Sequence, residues 1–226
     1  MSSIWIRRLG WTVILTLFAG VFVASASAGQ INSTPVPVAS GTGLGFVNIA
    51  AIVTTNPNND DSPGPQPDNN IVVPLKRFDT TGYIDIPFAL TPTQGVTEYQ
   101  VTEFVDNNTG SNWLSYTMML GFGTGAAFTQ VGGLLDGLDF DNENTTPPTS
   151  IALPVVSRPD EDTLVFSGGI HGIGAQQYTF RIDVSDLIGR TGGSFTLRQQ
   201  PTVPEPTSVI FVSIAIAGLA LKRRVR

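Results

Sequence analysis

The densest group of side chains that could do chemistry is acidic. Four carboxylates, Asp136, Asp139, Asp141 and Glu143, fall within eight residues. The alternate spacing of the last three places them on one side of an extended segment, and calcium takes about six to eight oxygen ligands of this kind. Asn stands at position 144, where an EF-hand loop requires Gly. We therefore expect either a calcium site or a solvated acidic loop, which a thermal melt with and without chelator would separate.

Two aromatic residues, Trp113 and Tyr116, are the candidates for contact with a ligand. With Tyr83 they could line a sugar-binding face, although aromatic side chains on strands more often belong to the core. An exposed platform would favour a lectin-like domain, and complete burial a structural one.

The chain offers little for catalysis. It has one His and no Cys, which excludes a thiolate zinc site, an iron–sulfur cluster, a cysteine nucleophile and any site with two imidazoles. His171 could belong to a Ser-His-Asp triad, but the chain contains no G-x-S-x-G motif. We expect His171 in a loop or half-buried. The dinucleotide-like run Gly121-Phe122-Gly123 is followed by Gly132 and Gly133, which interrupt the helix that such a site needs. We predict no enzyme and no cofactor apart from the possible calcium.

Recurrent short strands must position these residues. Apolar and polar residues alternate with period two, as in Tyr178, Phe180 and Ile182, and Gly, Pro, Asn and Asp separate the runs. The pattern predicts an all-β body, an antiparallel β-sandwich or jelly roll. The predicted strands are 46–54, 71–78, 83–90, 96–105, 113–122, 127–131, 151–156, 163–166, 177–184 and 194–198.

Three kinds of connection are predicted around these strands. Asn107-Asn108-Thr109-Gly110 is typical of a hairpin loop, with Asn and Gly supplying positive φ. Residues 56–70, rich in Pro, Asn and Asp, predict a long mobile loop. Residues 29–43 and 199–206 look like flexible flanks.

The N-terminus has the layout of a secretory signal peptide. Arg7 and Arg8 precede an almost uncharged apolar run, 9–23, and the small residues of 24–28 follow in an A-x-A pattern. Signal peptidase should cut after Ala28 or after Ala26. The predicted N-terminal helix, residues 1–28, is therefore an export address.

The C-terminus also has three parts. Val203-Pro204-Glu205-Pro206 precedes an uncharged apolar run, 207–221, which is the predicted transmembrane helix. Fifteen helical residues span about 22 Å, less than the ~30 Å hydrocarbon core, so either the basic side chains would have to snorkel or the bilayer would have to thin locally. Positive charge stays on the cytoplasmic side and places the body outside the inner membrane. The basic stop that ends the chain consists of Lys222, Arg223, Arg224 and Arg226.

This C-terminal segment resembles the PEP-CTERM sorting signal. The resemblance implies recognition by exosortase, a membrane-embedded protease of Gram-negative bacteria that make exopolysaccharide. The tail would be removed at the motif and the body, 29–203, passed to the cell surface or matrix. The two prolines keep the motif extended, as a protease groove requires. Segment 204–226 would then be a processing signal and its Glu205 a recognition residue.

Part of the body resembles surface domains of the choice-of-anchor type, which carry such signals. The resemblance implies a β-sandwich with no catalytic residues to transfer. The matching residues are Thr102, Glu103, Val105, Asn108, Thr109, Gly110, Trp113, Tyr116, Leu120, Gly121, Asp136, Gly137, Leu138 and Phe140.

Charge adds a last constraint on function. The body 29–203 carries six basic and 17 acidic residues, a net charge of −11, which repels nucleic acid and anionic lipid. We expect an exported surface or matrix protein whose partners are signal peptidase, exosortase and the membrane before cleavage, with exopolysaccharide as a further candidate partner. The alternatives are a secreted carbohydrate-binding module, a secreted hydrolase in which any two acids converge, and a chain that stays tethered to the inner membrane.

Overall fold

A computed structural model describes residues 29–54, 69–92, 96–130, 137–141, 147–185 and 193–204. Several predicted features lie outside these ranges. They are the signal peptide with Ala26 and Ala28, the residues Glu205 and Pro206, the apolar run 207–221 and the basic stop. Most of the predicted mobile loop 56–70 does so too. In the ranges given, no helix is long and apolar enough to cross a membrane.

The described chain is built almost entirely of β-strands. The one helical element among these residues is a single 3-10 turn, Gly125–Ala127. The strands are β1 Gly29–Ile31, β2 Leu44–Asn48, β3 Ala51–Val53, β4 Asn70–Phe78, β5 Ile84–Pro92, β6 Val96–Asn107, β7 Ser115–Phe122, β8 Thr129–Gln130, β9 Asp139–Phe140, β10 Thr149–Ser150, β11 Val155–Asp160, β12 Thr163–Ser167, β13 Gly174–Ser185 and β14 Ser194–Thr202.

The strands form two seven-stranded sheets. Sheet I has the order β1-β5-β14-β7-β12-β11, with β8 also paired to β7. Sheet II has the order β10-β13-β6-β4-β2, with β3 on β4 and β9 on β13. Neighbours are antiparallel except β4 and β6, which run parallel. The all-β prediction with antiparallel sheets is confirmed, and the jelly-roll alternative within it stays a prediction.

The two sheets pack face to face through aromatic rings. Tyr116 of sheet I lies 5.9 Å from Phe78 and 4.9 Å from Tyr178 of sheet II, measured between ring centroids. Phe166 of sheet I meets Tyr178 at 5.1 Å. These side chains are inaccessible to solvent, so the core is a layer between the sheets, as in a β-sandwich.

Several of the predicted elements differ from the structure. The predicted strand 46–54 is two strands, β2 and β3, which both pair with β4. The predicted strand 151–156 is mostly a bend, with Ile151 94% exposed, and β11 begins only after Pro154, which has no N–H to give to a ladder. The expected flexible flanks are also wrong in part, because Gly29–Ile31 and 199–202 are paired strand residues.

The predicted hairpin at Asn107–Gly110 is instead a connection between the sheets. Gly110 has the expected positive φ, 78°. However, β6 belongs to sheet II and β7 to sheet I, so the chain crosses the sandwich here. The Asn107 amide fixes the crossing by donating to the carbonyl oxygens of Ser111 at 2.8 Å and His171 at 3.1 Å.

Candidate functional site: a buried polar cluster between the sheets

A β-bulge in β4 turns Lys76 into the core. Val73 pairs with Glu103 and Lys76 with Val105, so β4 has one more residue than β6 between the two pairs. Pro74 lies in this bulge and is exposed, a position where its missing N–H is tolerated. The inward positions of β4 therefore change from odd to even numbers after Val73, and Lys76 becomes fully buried.

Lys76 meets two other buried polar residues, Glu103 and Gln199. Glu103 is in phase with the core residues of β6, and Gln199 is in phase with those of β14. Lys76 Nζ donates to Glu103 Oε2 and to Gln199 Oε1. Gln199 Nε2 in turn lies 3.0 and 3.1 Å from the two Glu103 oxygens. The three side chains form a closed triangle that joins sheet II to sheet I.

Tyr116 forms one wall of this polar cluster. Its hydroxyl donates to Glu103 Oε1 at 3.4 Å, and Lys76 Nζ lies 5.6 Å from the centre of its ring. Burial lowers the pKa of Lys76, an effect that Glu103 opposes. Burial, reinforced by the charge of Glu103, raises the pKa of the Tyr116 phenol well above its ordinary value. An amine, a carboxyl, a carboxamide and a phenol are thus held together out of water.

His171 was expected in a loop or half-buried. It does lie in the connection between β12 and β13, but it is fully buried. Its Nε2 lies 3.0 Å from the Gly174 carbonyl oxygen, so Nε2 carries the proton and donates it. Its Nδ1 then accepts from the Tyr178 hydroxyl at 2.9 Å. The ring also packs against Trp113, with centroids 4.5 Å apart. Every polar atom of the imidazole has a partner, which makes the neutral ring a structural element.

Acidification should destabilise the protein through His171. Burial lowers the pKa of this imidazole below its ordinary 6.5, so between the two values the unfolded chain binds more protons than the folded one. The unfolding free energy should therefore fall as the pH drops from neutrality through 6.5. Urea unfolding across this range should show a smaller slope for His171→Gln than for the unmutated chain. Equal slopes would contradict the assignment.

Arg198 makes a second polar contact, on the outer face of sheet I. Its Nε and Nη2 donate to the two carboxylate oxygens of Asp85 at 2.7 and 2.8 Å. Nη2 also donates to the Gly125 carbonyl oxygen at 2.7 Å, and the guanidinium carbon lies 4.1 and 4.0 Å from the ring centres of Tyr83 and Phe128. The arrangement fixes the 3-10 turn onto the outer face of the sheet.

The predicted calcium ligands are only partly described. Asp139 lies in β9 and Asp141 directly follows it, while Asp136 and Glu143 lie outside the described residues. An Asp139 oxygen is 4.0 Å from Arg158 Nη2, so an arginine competes for that carboxylate. No three His, Asp or Glu side chains converge in the part of the chain that the structure covers. The calcium site stays a prediction.

The predicted ligand contacts, Trp113 and Tyr116, lie in the core. Neither is accessible to solvent, and their rings stack with centroids 5.8 Å apart. The Trp113 Nε1 donates to the Thr109 hydroxyl at 3.1 Å. A sugar has no access to either ring in this arrangement. An open hollow of about 430 Å³ does occur beside β1, lined by residues 30–34 and 52–54.

Lys76 and Gln199 were not predicted to belong to a site, and Glu103 was singled out only as part of the resemblance to choice-of-anchor domains. Glu103 and Gln199 nevertheless carry a visible signal in the sequence. Glu103 falls between Val101 and Val105 in the alternation of β6, and Gln199 continues the alternation of Phe195 and Leu197 in β14. A polar residue in phase with core residues indicates a buried network. Lys76 has no such signal, because its orientation depends on the bulge.

No protein-family model, curated protein or solved structure matches the chain. The functional interpretation therefore depends on the residues of the chain itself.

Proposed function

We propose that this chain is an exported, non-enzymatic protein of the cell surface or extracellular matrix, made by a Gram-negative bacterium that produces exopolysaccharide. Signal peptidase removes residues 1–28 and exosortase removes the tail at the motif. The body then leaves the inner membrane, to which the apolar helix had tethered it. Exopolysaccharide is the matrix that such a body would meet.

This proposal rests on the position of the end of strand β14 relative to the motif. The last strand, β14, ends at Thr202, and the motif begins at Val203. Val203 is half-buried, whereas Pro204 is exposed and belongs to no regular element. A protease could therefore reach the chain at Pro204 without unfolding the sandwich.

The burial of the aromatic residues favours this structural role over a carbohydrate-binding module. A lectin-like platform needs rings that a sugar can stack on, and both candidate rings are enclosed by the two sheets. Two fully buried acids favour the structural role over a hydrolase. Asp85 is already bonded to Arg198, and Glu103 is already bonded to Lys76. Calcium at Asp139 and Asp141 is compatible with any of these roles.

Replacement of the motif by alanine should block sorting. In a host that contains exosortase, the triple variant Pro204→Ala, Glu205→Ala, Pro206→Ala should keep its tail and stay in the membrane fraction. The unmutated chain should appear in the culture fluid without the tail. A matched control replaces Ser194, Gln200 and Thr202, three exposed residues of β14, and should behave like the unmutated chain. Normal processing of the motif variant would refute the proposal.

A further inference from the structure

We propose that Lys76 and Gln199 become joined by an intramolecular isopeptide bond, with Glu103 as the acid–base catalyst. The three groups that such a reaction needs are already in contact. Lys76 Nζ is the nucleophile and touches Oε1 of the Gln199 carboxamide, whose carbon it would attack. Glu103 touches both the amine and the leaving nitrogen. All three side chains have no exposed surface.

The reaction balances without an oxidant or a cofactor. Glu103 accepts a proton from Nζ, and the neutral amine attacks Cδ of Gln199. The Nζ–Cδ bond forms, Glu103 passes the proton to Nε2, and the Cδ–Nε2 bond breaks as ammonia leaves. Glu103 then takes the second proton from Nζ. One lysine ammonium, one primary amide and one carboxylate thus become one secondary amide, one ammonia molecule and one carboxylic acid. The transferred proton has a short path, because Nε2 lies 3.0 and 3.1 Å from the Glu103 oxygens.

The surroundings of the polar cluster favour this reaction. A lysine is nucleophilic only as the neutral amine, and burial lowers the pKa of Lys76 towards that form. Tyr116, which also bonds to Glu103, and Phe78, which follows Lys76 on the same face of β4, are fully buried. Their rings exclude the water that would otherwise compete for the Gln199 carbonyl. The groups are pre-positioned by strands of both sheets, which replaces an intermolecular encounter by a contact within one fold.

The bond would give this chain a covalent cross-link that it otherwise lacks. The sequence contains no Cys and hence no disulfide. Residues 76 and 199 are 123 positions apart, so the link would close a long loop and restrict the unfolded chain strongly. It would also join the two sheets, and it would be insensitive to the redox state outside the cell. The reaction occurs once per molecule and does not make the protein an enzyme.

Intact mass of the denatured, purified full chain tests the proposal. We expect a mass lower by one ammonia than the mass calculated from the sequence of the same purified chain. Trypsin should yield a peptide ending at Arg77 joined to the peptide that begins at Gln199, and this linked peptide distinguishes the reaction from loss of ammonia elsewhere in the chain. An unchanged mass would overturn the proposal. Loss of water with Lys76 joined to Glu103 would overturn the choice of Gln199 as the acyl donor.

Variants separate the role of Glu103 from mere support of the fold. Glu103→Gln keeps the shape of the side chain but cannot shuttle the proton, so it should show the full, unlinked mass while Trp113 fluorescence reports a folded core. Arg198→Ala is the matched control, because it weakens the fold on the outer face of β14 and should still lose ammonia. A folded Glu103→Gln that loses ammonia normally would overturn the catalytic role.

Discussion

Replacement of Arg198 by alanine should lower the unfolding free energy by about 3–5 kcal/mol. The guanidinium makes two bonds to the carboxylate of Asp85, which is fully buried. Without it, that carboxylate would remain in the fold with no cation beside it, and the packing between Tyr83 and Phe128 would be lost. Chemical denaturation followed by circular dichroism measures the loss.

Arg77→Ala is the matched control for that variant. Arg77 also pairs with an aspartate, Asp79, at 2.9 Å, but the two side chains are 41% and 40% exposed. Water screens such a pair, and its loss should cost about 0–1 kcal/mol. Equal losses for the two arginine variants would show that the Arg198 contact does not stabilise the fold in the way described.

Trp113→Ala should cost a similar amount, about 3–5 kcal/mol. The ring is fully buried and contacts Phe78, Tyr116 and His171, with centroids 5.3, 5.8 and 4.5 Å away. Alanine would leave a cavity at the crossing between the sheets that its neighbours fill only in part. Urea unfolding, again followed by circular dichroism, gives the difference.

Phe104→Ala is the control for the tryptophan variant. Phe104 lies on the outer face of β6 and is 41% exposed, so its loss should change stability by less than about 0.5 kcal/mol.

In the processed chain Trp113 is the only tryptophan, because the other two lie at positions 5 and 11. Its emission should therefore be that of a buried indole and should not respond to added polysaccharide. A response would favour the carbohydrate-binding alternative.

Strand positions were predictable where a single face is buried. In β7 and β13 the inward residues alternate without interruption, and the predicted strands overlap the observed ones closely. Period two also predicts burial of Tyr116 and Tyr178, since residues in phase share one face. The prediction of an all-β fold depended on nothing beyond this alternation and the turn residues between runs.

The polar cluster was harder to predict, for two physical reasons. The bulge at Pro74 reverses the phase of β4, and period two alone would place Leu75 and not Lys76 in the core. The triangle also depends on which strands face each other, and Gln199 lies 123 residues from Lys76. Local patterns carry no information on such a pairing. The hairpin prediction at Asn107–Gly110 failed for the same reason, because turn residues do not indicate which sheet the next strand joins.

We propose that the sandwich is carried outward and released by cleavage at both ends. The intact mass of the protein recovered from the culture fluid of a host with signal peptidase and exosortase tests this proposal. We expect a chain that begins near Gly29 and ends within or just after the motif Val203–Pro206. A secreted or membrane-bound chain that still ends at Arg226, or a full-length chain in the cytosol, would contradict it.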